Sequence, residues 1–181
     1  MKVRKIVGFI LLMAVCGMIF WITGASPANF ILVRDFSKSA DFTWMPFADI
    51  CEILQNPNPN LIRINLLGNV LLFAPVGFLL PMIWTGFRRL TRTAAFGVCM
   101  SVFIEVNQLF NYRATTTDDV ILNTLGAVLG YLCAAAMLRL LPRLSPDDYA
   151  ERCCVLPAAL AALLPYAVLT AQEAWFYLTQ W

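Results

Sequence analysis

The chain has no histidine among its 181 residues. That absence removes zinc sites of the usual Cys/His kind, Ser–His triads and imidazole acid–base chemistry at once. Six cysteines are present (Cys16, Cys51, Cys99, Cys133, Cys153 and Cys154), but none stands in a CxxC spacing. Neither a redox pair nor a zinc ribbon is encoded. Most of these cysteines lie in apolar runs and read as small core residues. Charge is also scarce: 13% of the chain is Asp, Glu, Lys or Arg, against about 25% in soluble domains. No cofactor, no metal and no nucleic acid is expected.

Apolar sequence fills the space that charge leaves. Hydrophobic residues make up 60% of the chain, and the mean hydropathy is +0.72. The reading is an all-α, polytopic transmembrane helical bundle forming one membrane domain over residues 1–181. A bilayer core needs about 20 apolar helical residues to cross. Five stretches qualify: 6–23, 64–84, 94–110, 119–141 and 154–177. The last contains Pro157 and Pro165 and ends in Trp175, Phe176, Tyr177 and Trp181, an interfacial aromatic cluster. The first is expected to be retained rather than cleaved as a signal peptide. Its apolar run exceeds the usual signal length, and Pro27 sits badly beside a cleavage site.

A cytoplasmic N-terminus places Lys2, Arg4, Lys5, Arg88, Arg89, Arg92, Arg139, Arg143 and Arg152 inside. Only Arg34, Lys38, Arg63 and Arg113 then face out, as the positive-inside rule asks. In the long outer loop, Phe47, Ile50, Cys51 and Leu54 recur at helical spacing. That piece reads either as an amphipathic helix on the outer surface or as a loop packed on the bundle.

Three predicted helices each carry one polar stripe. Asn65 and Asn69 stand four apart on the second span. Ser101, Glu105, Gln108 and Tyr112 follow steps of four, three and four on the third. Asp119, Asn123, Gly126 and Gly130 repeat those steps on the fourth. With this orientation the stripes converge near the outer face. Glu105 then lies on the order of 8–10 Å inside the boundary. An acid at that depth must be protonated or paired, with Arg113 or Arg63 as the partners on hand. Asn65, Asn69 and Gln108 read equally as hydrogen-bonding links between helices. Asp118 and Asp119 suit caps at the start of the fourth helix. Gly126 and Gly130 form a GxxxG packing motif. Pro75 removes a backbone donor from the second span, which predicts a kink there.

The sequence MPF, then NLLGNVLLFAPVGFLLP, then SVFIEVNQLF with its following Arg, then DDVILNTLGAVLGY, resembles the VanZ-like family of small bacterial membrane proteins. The resemblance covers about residues 45–131. The matching positions are Pro46, Phe47, Asn65, Asn69, Phe73, Pro75, Gly77, Glu105, Gln108, Arg113, Asp119, Asn123, Gly126 and Gly130. It departs in the link ATTTD, which is shorter and richer in threonine than family members often show. The resemblance implies a multi-pass protein of the bacterial plasma membrane, linked to low-level resistance to teicoplanin-type glycopeptides. It supplies no reaction.

The leading expectation is an outward polar pocket formed by Asn65, Asn69, Glu105, Gln108, Arg113, Asp118, Asp119 and Asn123. Pro75, Gly77, Gly126 and Gly130 would serve helix packing. Membrane lipid is the expected surrounding, and a cell-envelope precursor or a glycopeptide is the expected ligand. Two other classes stay open: an embedded enzyme acting on a lipid-linked substrate through Glu105 and Asp119, and a purely structural bundle. Without histidine or a nucleophile elbow, the balance leans away from an enzyme.

Overall fold

In the computed structural model the fold is described for residues 2–25, 42–43, 45–55, 62–110, 115–144 and 155–179. It is all-α, with six helices among these residues: α1 (Lys2–Thr23), α2 (Ala48–Gln55), α3 (Gly68–Ile83), α4 (Leu90–Phe110), α5 (Thr117–Leu140) and α6 (Val155–Thr179). A π-helical stretch, Ile62–Leu67, leads into α3, and 3-10 turns follow α3 and α5. One two-residue parallel pairing joins β1 (Phe42–Thr43) to β2 (Thr115–Thr116), with Phe42 opposite Thr115.

Among the described residues four helices (α1, α3 with its π entry, α5 and α6) are long and apolar enough to cross a membrane. The expected third span forms as α4, 21 residues long. It carries Arg92, Ser101, Glu105, Asn107 and Gln108 among its apolar residues.

Membrane character shows in the inversion of the usual burial pattern. On α1, Leu12, Cys16, Ile19 and Phe20 recur at helical spacing and are fully buried, whereas Ile6, Val7, Ile10, Met18 and Trp21 on the other face are exposed. Val98, Val102 and Val106 on α4 and Leu125, Leu129 and Leu132 on α5 form further exposed apolar rows. Such a belt is far more extensive than a water-soluble monomer tolerates. Cys51, Cys99 and Cys133 are exposed as well, and Cys16 alone among the described cysteines is buried. The expectation of core cysteines therefore holds for Cys16 and not for these three.

Lipid is as apolar as leucine, so helices in it associate by close fit rather than by escape from water. α3 and α5 are the most intimate pair. They run parallel, and their backbones touch where side chains are missing: a Cβ on Gly77 would strike the carbonyl of Ala127, on Gly126 that of Val70, and on Gly130 that of Ala74. α3 continues unbroken through Pro75 and Pro81. α4 runs antiparallel to α5, with Gly97 against Ala127 and Ser101 against Asn123 one turn further along.

α1 ends at Gly24, whose φ of 61° suits glycine. The Ala25 amide donates back to the Phe20 carbonyl at 3.1 Å, closing a Schellman-type cap. α6 lies along α1, with Gly17 against Pro165 and buried Ala158, Ala161 and Ala162 allowing close approach. Tyr166 and Phe103 meet edge-on at 4.9 Å between ring centroids, with Phe20 packed against both. Each such aromatic pair contributes about 0.5–1.5 kcal/mol.

The bundle is polar in a second sense, end to end. Gly8 of α1 meets Ile83 at the close of α3, so Lys5 shares an end with Arg88, Arg89, Arg92, Arg139 and Arg143. Asp49, Asp118 and Asp119 gather at the opposite end.

Candidate functional site

At the acidic end a cavity of about 640 Å³ opens between α1, α2, α3, α4 and α5. Its polar wall is Thr23, Asp49, Asn65, Asn69, Gln108, Thr116, Asp118 and Asp119, and Ile22, Ile50, Ile53, Leu66, Leu72 and Leu122 form the apolar part.

The helix periodicities explain who meets whom. Because α4 and α5 are antiparallel, a step outward on one is matched by a step back on the other. Ser101 and Asn123 form the inner layer, where the Asn123 amide donates to the serine hydroxyl at 2.9 Å. One turn further out Glu105 stands level with Asp119, close enough for the two carboxyl groups to act on one another. Asp119 also accepts a hydrogen bond from the Asn69 side-chain amide, which joins α5 to α3. Gln108, a turn beyond, donates through its Nε2 to the carbonyl of Thr23 at 3.0 Å. That carbonyl belongs to the last turn of α1, where no intrahelical donor remains.

The two aspartates at the start of α5 divide in role. The cap of α5 itself is Thr116, whose hydroxyl accepts from the Asp119 amide at 3.3 Å. Asp118, only 2% exposed, turns away to a different helix. Its Oδ1 accepts from the amide of Phe47 and its Oδ2 from that of Ile50 at 3.0 Å. A buried carboxylate of α5 is therefore the N-cap of α2. Phe47 sits in the left-handed region at φ 66°, a strained conformation for a bulky residue. Both amides on Asp118 hold it there. The expectation that Asp118 caps its own helix is corrected accordingly.

α2 does form, but turned differently from the expected stripe. Asp49, Ile50 and Ile53 face the cavity, while Phe47, Cys51 and Leu54 are exposed. The inward face thus mixes Asp49 with Ile50 and Ile53, and the outward face mixes Cys51 and Leu54 with exposed Glu52 and Gln55.

The other predicted residues can now be placed. Asn65 is exposed on the cavity rim. Glu105 and Asn123 lie behind the wall and do not line it. Each is at least nine-tenths buried and carries one oxygen, Glu105 Oε2 and Asn123 Oδ1, with no hydrogen-bond partner among the described residues. The Oε1 of Gln108 is a third such atom. Arg113 and Tyr112 lie outside the described residues, as does the side chain of Arg63. Pro75 is half-buried within α3. Thr23, Asp49 and Thr116 join the wall without having been singled out. The helical position of Asp49, one residue before Ile50, was the available signal. Among the described residues no group of three acids or cysteines comes together as a metal site. The wall offers carboxylates that accept and amides that do both, a surface suited to hydroxyl- and amine-bearing ligands.

A family model described as VanZ/LLP1 matches residues 8–139, which takes in most of α1 through nearly all of α5 and every residue of the cavity wall. No curated protein and no solved structure matches the chain. With well over half of its length matched, the chain belongs to the VanZ/LLP1 family.

Proposed function

We propose that this VanZ/LLP1 protein is a plasma-membrane component of the bacterial cell envelope that binds a polar or lipid-linked envelope ligand in its outward cavity. The observation carrying this reading is the cavity itself, whose polar wall draws on five helices rather than one. A purely structural bundle needs bonds between neighbouring helices, and Ser101–Asn123 supplies one. It does not need a 640 Å³ space lined with acids and amides.

The sugar hydroxyls of an envelope precursor and the amines and hydroxyls of a glycopeptide both suit such a wall. The second fits the link to teicoplanin-type resistance that the family resemblance implies. The exposed Phe47 just before α2 and Leu54 on it set the cavity beside an apolar surface, where a lipid tail finds its own solvent.

The test is isosteric. Asp119→Asn keeps an oxygen to accept from Asn69, and Glu105→Gln keeps size, so both variants should reach normal abundance. Susceptibility to teicoplanin should rise at least fourfold for Asp119→Asn, scored beside the protein level in the membrane. Unchanged susceptibility at normal abundance would remove the cavity from the function. An alternative reading, an embedded enzyme, rests on Glu105 and Asp119 standing level as two adjacent acids. It requires product from a lipid-linked envelope substrate incubated with purified protein, lost in the same two variants.

A further inference from the structure

At the other end of the bundle a second cavity, about 320 Å³, is lined by Pro81, Arg88, Tyr131, Ala135, Leu138, Arg139 and Pro142. Two arginines face one small space whose other described walls are Pro81, Tyr131, Ala135, Leu138 and Pro142. Arg88 ends the 3-10 turn that follows α3, and its carbonyl accepts from the Tyr131 hydroxyl at 2.6 Å. That bond fixes the turn on α5, so the backbone carrying the Arg88 guanidinium is set in place. Arg139 projects from the last turn of α5 and is exposed. Leu132, Leu140 and Leu141, next in sequence to the lining residues Tyr131, Arg139 and Pro142, are all at least half exposed and part of the apolar exterior.

Two guanidiniums beside an apolar wall fit an anion that carries hydrocarbon. Guanidinium forks match phosphate oxygens in pairs of hydrogen bonds, which a point-charge lysine does not do. The volume is at the low end for a ligand site, enough for a headgroup with its chains left outside against the leucines. A free phosphate would gain nothing from Ala135, Leu138 and the prolines. The positive-inside count puts this end at the cytoplasmic face, where anionic lipids enrich and basic pockets between helices bind their headgroups. We propose that Arg88 and Arg139 form a site for the phosphate headgroup of an anionic membrane lipid, separate from the acidic cavity at the opposite end.

The experiment uses the full chain purified in detergent, with native mass spectrometry counting bound lipid. Phosphatidylglycerol and phosphatidylcholine of identical chains are compared, with inorganic phosphate as competitor. Phosphatidylglycerol should bind at least tenfold better than phosphatidylcholine. Removing both charges, Arg88→Gln with Arg139→Gln, should lower its affinity by roughly tenfold or more, at about one kcal/mol per basic residue. Millimolar inorganic phosphate should not displace it. Equal binding of the two lipids overturns the site. Displacement by inorganic phosphate overturns the lipid assignment. Should the double variant fail to fold, Arg139→Gln alone decides, because its side chain is exposed. Unchanged phosphatidylglycerol binding in that variant sinks the proposal.

Discussion

Gly130→Val should remove most of the protein from the membrane fraction, and any remainder should unfold well below the wild-type temperature in detergent. The first added carbon would already collide with the carbonyl of Ala74, and it would stand 2.8 Å from the Phe78 nitrogen. Both obstacles are backbone, so no rotamer change relieves them. α3 would have to move away from α5, and with it the Gly126 and Gly77 contacts and the bond from Asn69 to Asp119. Overpacking typically costs about 1–3 kcal/mol. A clash of two backbones at the tightest interface should exceed about 3 kcal/mol, a large part of a typical total stability. Gly17→Ala supplies the contrast, because its new carbon meets only the ring of Pro165 at 3.3 Å. Its effect should stay below about 1 kcal/mol. Normal abundance and melting temperature for Gly130→Val would show that the two helices do not touch there.

Asp118→Ala should free α2 while leaving the five long helices assembled. The substitution strips the acceptor from the amides of both Phe47 and Ile50. Hydrogen bonds to a charged group contribute about 1.5–3 kcal/mol each. A helix of eight residues lies well below the length that is stable alone in water. Amide hydrogen exchange over 48–55 should therefore accelerate by about two orders of magnitude or more, at about 1.4 kcal/mol per factor of ten. Asp118→Asn should fall between, since an amide offers one oxygen where the carboxylate offers two. Asp119→Asn should leave that exchange unchanged, because Asp119 touches neither amide. This ordering separates a cap from a general loss of charge in the cavity. Exchange that stays slow in Asp118→Ala would mean that α2 is held by something else.

These two residues also show how far the sequence could be read. Gly126 and Gly130 stand four apart, and small residues at that spacing announce close helix packing whatever the partner. The helix ends and the convergence of three polar stripes were legible for the same reason, since helical period and apolar length are local properties. Asp118 was not legible as the cap of α2. A carboxylate in the first turn of a helix has the same local pattern whether it serves its own amides or those of a helix 71 residues earlier. The orientation of α2 was hidden too, because the stripe of Phe47, Ile50, Cys51 and Leu54 left open a helix on the outer surface or a loop packed on the bundle. The face that meets the cavity carries Asp49 beside Ile50 and Ile53. Gln108 sits where its stripe placed it, yet its amide nitrogen donates to the end of α1. No spacing within α4 could announce a carbonyl 85 residues away.

The cap supplied by Asp118 has a consequence in time. The ribosome adds about 5–20 residues per second, so α2 leaves it roughly 4–14 s before the residue that completes its first turn. The strand β1 waits equally long for β2. During that interval the nascent chain holds α1 and α3 with no fixed wall between them, and the acidic cavity does not yet exist. Its closure belongs to the moment when α5 arrives, late in the birth of the molecule. A chain stalled before residue 118 should leave 48–55 open to protease, and a chain stalled beyond 140 should not.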